Sequence, residues 1–131
     1  MKELYSLGLN DNEVKSMIEQ CPNIKELVYN EIGTNIEILR NINCNDRHIR
    51  NILICNPFYL DRTKEDIINL INKLVQLNIS NINLLFDSNP FLLNKDAYEI
   101  DDYIKKQLLK GKSLENIVGE LESNPYIIDE D

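Results

Sequence analysis

The chain has 131 residues, 43% hydrophobic and 27% charged, and a net charge of −8. This composition excludes a disordered chain, and no apolar run approaches the roughly 20 residues that a bilayer-spanning helix requires, so no membrane association is expected. The negative charge also works against long-range attraction to a phosphate backbone.

The length suits a single domain over residues 1–131. The opening segment "MKELYSLGLNDNEVK" has acidic residues and no signal-like apolar core, so a cytoplasmic location is expected. Cys21, Cys44 and Cys55 are irregularly spaced and form no Cys-x-x-Cys pair. They read as buried, reduced thiols rather than as metal ligands or disulfide partners.

Four prolines punctuate the chain. Pro22, Pro57, Pro90 and Pro125 stand 35, 33 and 35 residues apart, and Asn precedes the last three. Apolar residues recur around them. Val14, Ile49, Ile82 and Ile117 lie eight before each proline, and Ile18, Leu53, Phe86 and Leu121 lie four before. Ile24, Tyr59, Leu92 and Ile127 follow two after, Ile32, Ile67 and Ile100 ten after, and Ile36, Ile71 and Ile104 fourteen after. Steps of four on either side of each proline are helical spacing.

In chain order, a short helix starts after Asn10, with Glu13 three residues on, and stops at Pro22. A tight or 3₁₀ turn follows, then a longer helix from near Asn30 to about Ile42. The next unit starts at Asn45, breaks at Pro57, and has its long helix from near Thr63 to about Leu77. The third starts at Ser80, breaks at Pro90, and runs from near Asn94 to about Leu109. The fourth starts at Ser113 and ends in "SNPYIIDED" after its break. The apolar residues after each proline, including Tyr59 and Tyr126, are expected to fill the gap between helix pairs. Such units cannot bury their apolar faces alone, so they must stack. The predicted fold is all-α: a right-handed-type α-solenoid of about three and a half helix–Pro–helix repeats of 33–35 residues.

The unit resembles the repeat of the mitochondrial transcription termination factor family. "LGLNDNEVKSMIEQCPNI", from Leu7 to Ile24, carries the Leu-Gly-Leu opening, the short helix and the proline. "INCNDRHIRNILICNPFYL" and "LNISNINLLFDSNPFLL" keep the pattern without the glycine, and "KGKSLENIVGELESNPYII" regains it at Gly111. The resemblance implies a curved solenoid that binds nucleic acid along a basic concave face. This chain is shorter than the larger members of that family, and it is acidic.

The charge is uneven. Residues 1–37 hold three basic and seven acidic side chains, and residues 113–131 hold six acidic and no basic ones. Between them lie Arg40, Arg47, Arg50, Arg62 and Lys64, with a further cluster that includes Lys105 and Lys106. These seven are the candidate partner-binding residues, and Arg47 and Arg50 are expected on a solvated helix face. No catalytic, metal or cofactor site is expected. His48 is the only histidine and sits at a helix start. "GKS" at Gly111–Ser113 lacks the upstream glycine of a phosphate-binding loop, and "DAYEIDDY" reads as an acidic first turn of a helix.

The sequence therefore predicts a non-enzymatic helical repeat module that binds a macromolecular partner, in the first reading a protein. The alternative is a nucleic-acid-binding regulator like the transcription termination factor repeats. Uncovered apolar residues in the last unit (Leu114, Ile117, Leu121 and Ile127) predict a modest tendency to dimerise.

Overall fold

A computed structural model describes residues 1–27 and 29–130, without the side chains of residues 29 and 30. Every regular element among the described residues is helical. They are α1 (Lys2–Ser6), α2 (Asp11–Gln20), α3 (Tyr29–Asn41), α4 (Asp46–Cys55), α5 (Lys64–Gln76), α6 (Ile82–Ser88), α7 (Ala97–Leu109), α8 (Leu114–Ser123) and α9 (Ile127–Glu130). Short 3₁₀ turns cover Pro22–Glu26, Pro57–Asp61 and Pro90–Asn94, as the proline spacing predicts. The chain divides into two compact units, Met1–Lys64 and Glu65–Asp131.

In the first unit, α2 packs on α4, and α3 packs on α4 and on the Pro57 turn. Its core comes from the predicted positions: Val14, Ile24, Ile32, Ile36, Ile49, Leu53 and Tyr59 are all buried. Ile18 is the exception and is only half-buried. The predicted starts form as capping boxes. Asn10 Oδ1 accepts the Glu13 N–H at 2.8 Å while the Glu13 carboxylate accepts the Asn10 N–H at 2.9 Å. Asn45 and His48 make the same reciprocal pair, which gives the lone histidine a structural place. A polar link joins consecutive repeats: Tyr59 Oη donates to the Asn35 carbonyl at 2.6 Å, and Asn35 Nδ2 donates back to the Leu60 and Arg62 carbonyls at 3.2 and 3.0 Å. Burial raises the Tyr59 pKa well above that of an ordinary phenol.

In the second unit, Ile67, Ile71, Ile82, Phe86 and Leu92 are buried, as the spacing predicts. Lys73 on α5 pairs with Asp101 on α7 at 3.0 Å. The Asn of the Asn-Pro pair now has a physical role. Asn89 is buried; its Oδ1 accepts the Phe91 N–H at 3.1 Å and its Nδ2 donates to the Pro125 carbonyl at 3.0 Å. One side chain thus starts the 3₁₀ turn and ties it to the next proline.

The helix ends explain the missing glycines. Gly8, Asn43, Asn78 and Gly111 all have positive φ: 97°, 71°, 62° and 91°. Each follows a repeat's long helix (α1 in the first case) and closes it in the same way. For Gly111, the Lys112 N–H reaches the Gln107 carbonyl and the Gly111 N–H reaches the Leu108 carbonyl; Cys44 with Leu39 and Asn43 with Arg40 repeat the geometry. Asn is the residue after glycine that best tolerates this conformation, so it replaces glycine in the second and third repeats.

Five expectations need correction. Ile117 and Leu121, expected to be uncovered and to favour a dimer, are both fully buried within the second unit, and only Leu114 and Ile127 of that set keep exposed surface. Tyr126 is not core: it stands one after its proline, where Phe58 and Phe91 are also exposed, at 48% each against 43% for Tyr126. The next two residues of each set, Tyr59 with Leu60 and Leu92 with Leu93, are the ones that fill the gap. The third repeat is capped at Asn81 rather than Ser80, and without a side-chain bond. Its first helix has 7 residues against 10 in α2, α4 and α8, and this shortening produces the 33-residue proline spacing. The long helix of that repeat starts after Asp96, two residues beyond Asn94, because Lys95 is extended; the Glu99 carboxylate accepts the Asp96 N–H at 2.8 Å. Cys55 is exposed, while Cys21 and Cys44 are buried free thiols.

Candidate nucleic-acid interface

The seven candidate cations fall into groups of different character. Arg40 is at the end of α3 and is already engaged: it pairs with Glu37 and with Asp46, each at 3.4 Å. Arg47 is on the first turn of α4, exposed and without an ion pair among the described residues. One turn on, Arg50 is half-buried, and its Nη1 donates to the Leu7 carbonyl at 2.7 Å. This corrects the expected solvated face. The arginine cation satisfies an orphan carbonyl at the end of α1, so it belongs to the fold as much as to the surface.

Arg62 and Lys64 flank the junction where the Pro57 turn passes into α5. Together with Leu27, Thr34 and Asn35 they line a groove of about 510 Å³ in the first unit. Lys64 is exposed at the N-terminal end of a 13-residue helix, where the backbone dipole also favours an anion. Glu31 and Asp61 lie on the same groove and offset part of that charge. In the second unit, Lys105 and Lys106 are exposed on α7, and Lys106 borders a smaller groove with Tyr98 and Asp102.

Of the seven candidates, Arg47, Lys64, Lys105 and Lys106 are therefore the ones presented to solvent without an ion pair among the described residues. They do not recur at one repeat position. Lys105 stands fifteen after its proline, a place that Glu37 and Asn72 hold in the two preceding repeats. Within each unit the arrangement can neutralise separate phosphates. No group of three or more His, Cys, Asp or Glu that could hold a metal ion occurs among the described residues. No helix among them is long and apolar enough to cross a membrane.

A search of curated proteins gives no match. The mTERF family model, in contrast, matches residues 1–127, a span that takes in all four prolines, all four positive-φ helix closures and every candidate cation. With its fold built throughout from these helix–Pro–helix units, the chain belongs to the mTERF family.

Proposed function

We propose that the chain is a non-enzymatic helical repeat module that binds nucleic acid through phosphate contacts and acts as a regulator rather than a catalyst. The observation that carries this is the family match over residues 1–127. It favours nucleic acid over the protein partner that the charge alone suggests. Arg47 and Lys64 in the first unit, and Lys105 and Lys106 in the second, are the side chains we assign to the contacts. Each is exposed and free to exchange its counterion for a phosphate. Arg40 and Arg62 contribute less, because Arg40 is shared between two carboxylates and Arg62 is half-buried. The net charge of −8 weakens encounter at long range, so the contacts must act at short range and at modest salt.

The test is a titration of labelled duplex DNA and of RNA across a salt series. Log affinity should fall linearly with log salt, and on duplex DNA each lost contact should reduce the slope by about 0.9. Arg47→Glu with Lys64→Glu, and separately Lys105→Glu with Lys106→Glu, should each weaken binding and flatten that slope, with the helical circular dichroism unchanged. An absence of any shift at about 100 mM salt and micromolar protein would reject the reading.

A further inference from the structure

Arg50 and the Leu7–Gly8 turn define an inter-repeat contact with a counterpart elsewhere in the chain. In the first unit, the first helix of one repeat, α4, meets the closing turn before the preceding first helix. Arg50 Nη1 donates to the Leu7 carbonyl there and lies 3.3 Å from where a Cβ on Gly8 would be. In the second unit the corresponding partners are α8 and the Leu77–Asn78 turn. Seven residues before the proline, where Arg50 stands, α8 has Val118. The next residue is Gly119, with open space where its Cβ would be. The result is an open groove of about 1050 Å³ between α8 and that turn. No hydrogen bond to the Leu77 carbonyl, the equivalent of Leu7, occurs among the described residues.

The walls of this groove are unusual for their repeat positions. Leu114, 47% exposed, stands eleven before the proline, where the first two repeats have Asp11 and Asp46. Val118 replaces Lys15 and Arg50. Two charged positions, four residues apart on one helix face, have become apolar. Three carboxylates line it: Glu120 is paired with Lys112 at 2.9 Å, while Glu115 and Glu122 border the groove with no ion pair among the described residues.

We propose that this groove docks a basic amphipathic helix of a protein partner. Its apolar side chains cover Leu114, which is exposed beside the buried Val118. An arginine reaches the Leu77 carbonyl from outside, as Arg50 reaches Leu7 from within, and flanking cations face Glu115 and Glu122. Charge complementarity selects this occupant: a second copy meeting the groove with its own α8 would set carboxylates against carboxylates, and nucleic acid would do the same with phosphates. The proposal does not depend on the nucleic-acid reading, since none of the four assigned phosphate contacts lines this groove.

The probe is a labelled helical peptide of leucine and arginine, with leucines on one face, and a twin in which every arginine is glutamate. Fluorescence anisotropy with the full chain should show saturable binding of the arginine peptide and none of the glutamate twin. Val118→Arg supplies the groove with its own Arg50 equivalent and should weaken binding by about tenfold or more, or about 1.4 kcal/mol. If that variant does not fold, the exposed pair Glu115→Lys and Glu122→Lys should give a similar loss with an unchanged melting curve. Equal binding by the folded variants, no binding of the arginine peptide, displacement of the peptide by duplex DNA, or a dimer that Val118→Arg abolishes would each overturn the proposal.

Discussion

α4 and α8 share a frame and two core positions, and differ around them. Both have ten residues, both start at a side-chain cap (Asn45 or Ser113), and both end two residues before a proline. Two inward positions match, Ile49 and Leu53 in α4 with Ile117 and Leu121 in α8, all fully buried; a third does not, since the buried Ile52 of α4 aligns with the half-exposed Glu120 of α8. Their outer positions differ too. α4 shows Asp46 and Arg47 beside the half-buried Arg50, whereas α8 shows Leu114 and Glu115 and has Val118 buried where Arg50 stands. The buried face holds the repeat together and has little freedom. The outer face has more, and in a repeat protein that freedom is where binding specificity is built.

The largest test asks whether the inner faces are energetically equal. Leu53→Ala and Leu121→Ala should each cost about 2–5 kcal/mol in urea unfolding, and Phe86→Ala, at the same repeat position, about 3–5 kcal/mol. A loss below about 1 kcal/mol for Leu121→Ala alone would show that α8 is not held like α4.

A smaller effect separates the two arginines of α4. Arg50 makes a charged hydrogen bond in a partly buried site, and removing it leaves the Leu7 carbonyl unpaired. Arg50→Ala should cost about 1.5–3 kcal/mol, while Arg47→Ala, three residues away and exposed, should stay within about 0.5 kcal/mol. Equal melting temperatures for the two variants would remove the structural role assigned to Arg50.

These cases also show what the sequence discloses. The helices, the proline breaks and the core positions were legible because apolar residues repeat at fixed offsets, and burial imposes that periodicity. Asn10, Asn45 and Ser113 were readable as caps because capping needs a local side chain at a fixed distance. Arg50 was not. Its partner, Leu7, is 43 residues away, and a backbone carbonyl has no sequence signature. Asn89 was visible as part of a repeated pair, but its bond to the Pro125 carbonyl is likewise non-local. The groove beside α8 did leave a trace. In the repeat alignment, Leu114 and Val118 fall in columns occupied by charged residues in the first two repeats. It is the positional mismatch, not the apolar character alone, that signals the groove.

The smallest effects come from the closing turns in front of these helices. Asn43 precedes α4 and Gly111 precedes α8, both with positive φ. A Cβ on Gly111 would meet nothing within 4 Å, so Gly111→Ala tests the backbone alone, and about 1–2 kcal/mol should be lost. Gly8→Ala should cost more than that, because its Cβ would press on the guanidinium that Leu7 already holds. Asn43→Gly runs the other way. Glycine removes the backbone strain at φ 71° but gives the unfolded chain more freedom, and these two effects nearly cancel. The backbone part of the change is a few tenths of a kcal/mol, a degree or two in melting temperature, and anything beyond it measures what the Asn43 side chain adds. A loss above about 1 kcal/mol would mean that the Asn43 side chain itself holds the turn before α4, and that glycine and asparagine are not equivalent ways of closing this repeat.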